Sequence, residues 1–336
     1  MSPRRSLASL IVSCGVAAAL FQVAPGALQV SRAETGAHLD HIDRAGQRQQ
    51  MVYVYSAAMQ RVIPLQVLAA ADATTPSPTL YLLNGASGGT DVTNWYSRTD
   101  IVSFFWNKRV NVVTPVGGEF SYYTDWQRDD PALGRNRWET FLTRELPPII
   151  DATLHTSGVN AIAGVSMSAT SALDLVSAAP TVYSAVAAYS GCASTSDPAG
   201  RAYIRLVLGR GDGNPANMWG TDDDPAWRAH DMILNADTLR GKAIYLSSGT
   251  GLSGPAEELA GHSAPDEIAT KAGQMVVGGM IEAATNSCTH RLADRLRELD
   301  IPAQVDLRPV GTHTWHYWQD DLHKSWPLLA SALGTE

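Results

Sequence analysis

The strongest constraint on this chain is a rhythm that begins near residue 60. Short β-rich runs, several ending in glycine, alternate with longer helical stretches. Residues 65–69, 79–83, 110–114, 159–163, 185–189, 243–247 and 304–308 read as strands. Runs this apolar suit strands buried on both faces, the condition of a largely parallel sheet. Helical spacing fills the gaps. Residues 138–151 carry Phe141, Leu142, Leu146 and Ile149, and residues 168–178 form a small-residue helix. Residues 280–299 place Ile281, Ala284, Cys288, Leu292, Leu296 and Leu299 three and four apart, one face of a helix. The implied fold class is α/β, a mostly parallel central sheet with helices on both faces. Residues 200–236, with Gly211-Asp-Gly-Asn-Pro215, break the rhythm and read as an insertion over the sheet. No repeat or linker marks a second domain, and 336 residues at 45% hydrophobic can build one large core.

The chain ends add a compartment. Arg4 and Arg5 precede an apolar run from Leu7 to Val23, then Pro25 and a small-residue stretch. That is the layout of a secretory signal peptide over residues 1–33, cut between Ala27 and Ala33, leaving one domain over 34–336. The run is short against the ~20 residues of a membrane span. Ile11-Val-Ser-Cys14 has the look of a lipoprotein box, but the apolar stretch before it is too brief. A secreted or cell-envelope protein without a stable membrane span is expected. The formal charge of -8, with no basic block, argues against nucleic acid as a partner. No histidine, cysteine or carboxylate cluster has metal-ligand spacing, so no metal and no cofactor are expected.

Chemistry concentrates at Ala163-Gly-Val-Ser-Met-Ser-Ala169, where a strand runs into a helix. A sharp turn of this kind needs small neighbours so that the serine can take a strained conformation. Gly164 supplies one, and Ser168 stands where a second glycine is usual, a variant of the G-x-S-x-G elbow. Ser166 is the candidate nucleophile, and the N–H of Met167 is aimed at a developing oxyanion. A serine merely capping a helix is the plain alternative.

A hydroxyl needs a base. Of nine histidines, His313 lies on the loop just beyond the last strand, the position of the base in α/β-hydrolases, whose order is serine, acid, histidine; His316 and His323 fall in or after a downstream helix. The acid lies between them, among Glu257, Glu258, Asp266, Glu267 and Glu282; Glu282 sits near the start of the long helix beside its buried face. A second oxyanion donor is sought in Leu82-Leu-Asn-Gly-Ala-Ser-Gly-Gly89, where glycines permit close approach, and the N–H of Ala86 is the candidate.

In this order the motifs resemble the secreted mycolyltransferases of actinobacteria, the antigen 85 type. The segments that carry the likeness include Tyr81-Leu-Leu-Asn-Gly85, Thr114-Pro-Val-Gly-Gly118, Tyr123-Thr-Asp-Trp126, Trp138-Glu-Thr-Phe-Leu-Thr-Arg-Glu145, Gly164-Val-Ser-Met-Ser168, Met218-Trp-Gly220, Asp224-Pro-Ala-Trp227 and Gly311-Thr-His-Thr-Trp315. The resemblance implies an α/β-hydrolase fold, a triad of Ser166, Glu282 and His313, and transfer of a mycolyl chain from trehalose monomycolate to a sugar hydroxyl of trehalose monomycolate or cell-wall arabinan. It also implies that Trp315 lines the sugar site. Where better-known members have an aspartate and an arginine flanking the oxyanion residue, this chain has Asn84 and Ser87. A charged clamp is replaced by neutral groups, which remain candidates for binding sugar hydroxyls.

On such a fold Cys192 follows a strand end near the nucleophile helix, and Cys288 lies about one and two-thirds turns beyond Glu282. A disulfide anchoring the acid-bearing helix to the sheet is expected, two buried thiols being the alternative. Two other functions stay open: a carboxylesterase with water as acceptor, and a non-catalytic envelope-binding protein of the same fold.

Overall fold

Leu80 and Leu82 point to one face of a buried strand, Tyr81 and Leu83 to the other, and the molecule is built on that period of two. The computed structural model describes residues 36–72, 74–257 and 265–335, without the side chains of 265–272 and 274. The expected signal peptide lies outside the described residues, as do Glu258 and the side chains of Asp266 and Glu267.

The nine strands are β1 His38–Arg44, β2 Gln49–Ser56, β3 Arg61–Leu68, β4 Ser77–Leu83, β5 Asn111–Pro115, β6 Thr156–Val165, β7 Ala185–Tyr189, β8 Ala243–Ser248 and β9 Gln304–Leu307. They form one sheet in the order β1-β2-β3-β5-β4-β6-β7-β8-β9. From β5 to β9 every pairing is parallel, and β1, β2 and β3 join antiparallel at one side. The seven expected strands are there. β1 and β2 are additions, an antiparallel margin ahead of the expected sheet.

The helices are α1 Trp95–Arg98, α2 Ile101–Phe105, α3 Trp138–Thr140, α4 Leu146–Leu154, α5 Met167–Ala178, α6 Pro198–Gly209, α7 Pro215–Trp219, α8 Ala226–Ala229, α9 Pro265–Glu298 and α10 Trp315–Leu333. A π-helical turn, Phe141–Glu145, joins α3 to α4. The expected insertion holds α6, α7 and α8, three short helices. On one face Trp138, Phe141, Leu146, Leu173, Leu208 and Leu292 cover Tyr81, Val113, Ile162 and Val186. On the other, Trp95, Phe105, Trp318 and Leu329 cover Leu80, Val112, Ala163 and Tyr189. Each fully buried Leu, Val or Phe contributes roughly 1.5–3 kcal/mol, so two such layers fix the register of the parallel strands. Thr35–Glu336 make one compact unit. No described helix is long and apolar enough to cross a membrane.

This topology decides where a site can be. The chain leaves β4 for β5 on one side and returns to β6 on the other. The loops after β4 and β6 therefore diverge at the carboxyl edge, where open α/β sheets hold their ligands.

Candidate active site

Ser166 follows the last residue of β6 and caps α5 with φ 56° and ψ -121°. A non-glycine residue held there costs on the order of 1–3 kcal/mol, so its surroundings must impose it. Three contacts do so. The Ser166 N–H donates to the Tyr189 carbonyl at 2.8 Å. The Val165 N–H donates to Ser168 Oγ at 2.8 Å, and that hydroxyl donates to the Val165 carbonyl at 3.1 Å. A Cβ on Gly164 would stand 2.2 Å from the Ser168 carbonyl oxygen, so only glycine admits the turn. Ser168 fills the place of the usual second glycine because its side chain turns inward and binds the elbow.

Three residues meet in a line, from the elbow after β6, from α9 and from the loop after β9. His313 Nε2 lies 2.7 Å from Ser166 Oγ, and His313 Nδ1 lies 2.8 Å from Glu282 Oε2. Glu282 is fully buried on α9. Its Oε1 accepts from the Gly249 N–H at 2.6 Å, from Ser190 Oγ at 2.7 Å and from Ser248 Oγ at 3.2 Å. Burial pushes this carboxyl up, but His313, the Gly249 N–H and the Ser190 hydroxyl outweigh it and hold it below the usual carboxylate range. The glutamate stays ionised and fixes the imidazole with Nε2 facing the hydroxyl. Such a line can take a proton from Ser166 and return it to a leaving group.

Sequence reasoning missed the support around this line. Arg308 is buried and pairs with Asp321, and its other guanidinium nitrogen lies 3.6 Å from Glu282 Oε1. Ser190 receives the Trp318 indole N–H at 3.0 Å while donating to Glu282. Glu257, one of the acid candidates, holds the histidine loop instead. It accepts from Thr312 Oγ1 at 2.5 Å, Tyr317 Oη at 2.7 Å and the Gly254 N–H at 2.7 Å. The half-buried phenol of Tyr203, on α6, is pushed above its ordinary value by burial, an effect that the Ser166 hydroxyl partly offsets. No motif pointed to Tyr203, because α6 belongs to the irregular insertion and reaches the elbow only through the fold.

Met167 opens α5, so its N–H is among the amides a helix start leaves without an internal partner. The loop after β4 passes the same spot: a Cβ on Gly85 would lie 3.9 Å from Ser166 Cβ. Ala86 follows it, half-buried, its carbonyl fixed by the Phe120 N–H at 2.8 Å. Gly88, at φ 63°, could not carry a side chain, since a Cβ would meet the Gly117 carbonyl at 2.5 Å.

Asn84 is elsewhere. It is fully buried; its amide donates to the Pro115 carbonyl at 3.2 Å and accepts the Trp95 N–H at 3.3 Å. Its polar atoms tie the β4 loop to β5 and α1 instead of facing a ligand. Ser87 is half-buried and turned to its own loop, accepting the Gly89 N–H at 3.4 Å. Neither is among the described residues lining the open cavity of about 640 Å³ beside His313; Trp315, Thr314, Thr93 and His316 are. Trp315 stands there edge-on to Trp95 and Trp318, ring centroids 5.2 and 5.1 Å away. Cys192 and Cys288 are joined by a disulfide, which ties α9 to the segment after β7.

Among the described residues, Glu139, Asp174 and His230 bring possible metal-ligand atoms within 4.8 Å of one another. His230 Nδ1 is 2.7 Å from Asp174 Oδ2 and its ring stacks on Trp219, so this imidazole already has a carboxylate partner.

Comparison with known proteins agrees with the fold. The chain matches the Putative esterase family over residues 56–329. It is 31% identical over 301 residues to the diacylglycerol acyltransferase/mycolyltransferase Ag85A of Mycobacterium tuberculosis, covering 87% of this chain and 83% of that one. It is 31% identical over 314 residues to Ag85B of Mycobacterium leprae, with 90% of each chain covered. The crystal structure of Mycobacterium tuberculosis MPT51 (FbpC1) shares the fold at a TM-score of 0.71 and 23% identity, over 86% of this chain and all of that one. The chain belongs to the Putative esterase family and is a relative of the antigen 85 mycolyltransferases within it.

Proposed function

We propose that this protein is a serine acyltransferase that moves a mycolyl chain from trehalose monomycolate to a sugar hydroxyl through an acyl-enzyme on Ser166. The observation that carries the reading is the unbroken line from Glu282 through His313 to the Ser166 hydroxyl. In the first half-reaction His313 Nε2 takes the Ser166 proton as Oγ attacks the ester carbonyl. The N–H groups of Met167 and Ala86 receive the oxyanion, and trehalose leaves with the proton from His313. In the second half-reaction a sugar hydroxyl gives its proton to His313 and takes the acyl group from Ser166. Glu282 stabilises the imidazolium in both. Trp315, on the cavity wall, offers an apolar face to the sugar. Asn84, held inside the fold, contributes through the shape of the oxyanion loop, and Ser87 has a hydroxyl close enough to that loop to meet the sugar. Export by the N-terminal segment would bring the enzyme to the cell envelope, where such lipids and glycans are.

Incubation with trehalose monomycolate decides between transfer and hydrolysis. Trehalose dimycolate is the expected product, and free mycolic acid alone would show water to be the acceptor. Labelling of the wild type but not Ser166→Ala by a fluorophosphonate is expected; an unlabelled wild type would point to a binding protein that keeps the fold without turnover.

A further inference from the structure

The chain has a formal charge of -8, yet among the described residues the cavity beside His313 is lined by two arginines and one carboxylate. Arg98, in the last turn of α1, and Arg210, the C-cap of α6, both line it. Both side chains are exposed, and neither guanidinium has a carboxylate within salt-bridge distance among the described residues. Elsewhere on the surface both conditions occur: Arg135, Arg205, Arg291, Arg295 and Arg297 each hold an aspartate or glutamate, whereas Arg44, Arg109, Arg128, Arg144 and Arg228 are exposed without such a pair among the described residues. Glu257 is the one described carboxylate on the cavity wall; it is only 6% exposed, and its oxygens are committed to Thr312, Gly254 and Tyr317.

The two arginines share the cavity wall with His313 and Trp315. Arg210 closes α6, in the insertion. Arg98 is three residues beyond Trp95, whose ring contacts Trp315. One guanidinium thus comes from the insertion and the other from the helix that carries Trp95. Guanidinium forks match phosphate oxygens two at a time, and a cleft of one sign concentrates ligands of the other.

We propose that this enzyme also takes a phosphorylated sugar or polyol as acyl acceptor, beside an unphosphorylated sugar, its phosphate held between Arg98 and Arg210 while a free hydroxyl of the same molecule reaches the acyl group. The proposal rests on the acyl-enzyme reading given above. In the step concerned, the acceptor oxygen bonds to the acyl carbon as its proton passes to His313 Nε2. The bond from that carbon to Ser166 Oγ then breaks, and Oγ recovers the proton. The phosphate takes no part in bond making; it sets the position of the hydroxyl.

The test uses the full chain, acylated from 4-nitrophenyl butyrate, with methyl α-glucoside or α-glucose 1-phosphate as acceptor. Both keep a free primary hydroxyl and differ by one phosphate. Nitrophenol release reports the acyl-enzyme, and mass spectrometry of the butyrylated sugar reports transfer. At low salt, transfer to the phosphate is expected to exceed transfer to the glucoside by about tenfold, the scale of one charge-assisted hydrogen bond. The ratio should fall towards one in ~0.5 M salt, where exposed charges are screened. It should fall in the same way in Arg98→Gln and Arg210→Gln, with transfer to the glucoside as the reference within each variant. Nitrophenol release with equal transfer to both acceptors would overturn the phosphate site alone. A preference that survives in both variants would overturn the assignment to these arginines. No nitrophenol release from the wild type would overturn the acyl-enzyme reading and this proposal with it.

Discussion

The Ser168 carbonyl oxygen occupies the place that a Cβ on Gly164 would need, 2.2 Å away. The two residues bracket Ser166, and their closeness is what turns β6 so abruptly into α5. Gly164 makes room for the turn, and Ser168 closes it with a hydroxyl bonded to the Val165 N–H at 2.8 Å. The two substitutions should therefore differ. Gly164→Ala forces backbone apart and should lose both the fold of the elbow and all fluorophosphonate labelling. Ser168→Gly should keep labelling and lose about 1 kcal/mol of stability. Labelling of Gly164→Ala at the wild-type rate would contradict this account of the turn.

Glu282 has no exposed surface and lies against the imidazole through Oε2. Glu282→Gln preserves size but lets the amide donate where His313 Nδ1–H must be accepted. We expect kcat for ester cleavage to fall by roughly 10³–10⁴ with an unchanged far-ultraviolet circular dichroism spectrum. A fall of less than tenfold would remove Glu282 from its role.

Reducing the disulfide should act on stability before chemistry. Cys192 and Cys288 are 96 residues apart, and closing a loop of that size is worth about 2–5 kcal/mol. The double variant Cys192→Ser/Cys288→Ser should have a Tm several degrees below the wild type's and a looser α9, and with it Glu282. Denaturant unfolding with and without reductant measures the difference; identical curves would show that the bridge adds nothing.

Restoring the family's aspartate at position 84 should harm this chain. Asn84 is fully buried between the Pro115 carbonyl and the Trp95 N–H, so Asn84→Asp replaces a donor with a charge that faces a carbonyl oxygen. The expected loss is about 3–5 kcal/mol, that of an uncompensated buried charge. A melting temperature equal to the wild type's would mean that the loop rearranges freely.

His230 supplies a pH dependence. Burial pushes its imidazole down, but Asp174, with the charges of Glu139 and Asp125 behind it, outweighs burial and raises it above the ordinary 6.5. A group raised in the folded state stabilises fully below its unfolded value and loses that contribution as pH climbs through the folded one. The Tm advantage of wild type over His230→Gln should thus be greatest below pH 6.5 and shrink above it. A difference that stays constant from pH 5 to pH 9 would contradict the pairing.

Much of this was legible because strand and helix signals are local. Six parallel strands and the antiparallel β3 announced themselves as apolar runs, and Ala163-Gly-Val-Ser-Met-Ser-Ala169 marked the elbow. β1 did not, since His38–Arg44 is an exposed margin strand with a polar pattern that only pairing with β2 makes regular. In β2, the alternation of buried Val52 and Val54 with Tyr53 and Tyr55 was a signal available to a closer reading. α1 and α2 are four and five residues long, too short for helical period to show.

The sequence by itself determined the order of elements, the strand–glycine–serine–helix junction and the place of a histidine after the last strand. Those features depend on neighbours along the chain. Only the tertiary structure decided that Asn84 turns inward, that Glu257 braces the histidine loop, and that Arg210 comes from the insertion to the cavity beside His313. Those outcomes depend on which loops share the carboxyl edge of the sheet, and residues tens to hundreds of positions apart become neighbours there only when β4, β6, β7, β8 and β9 pair.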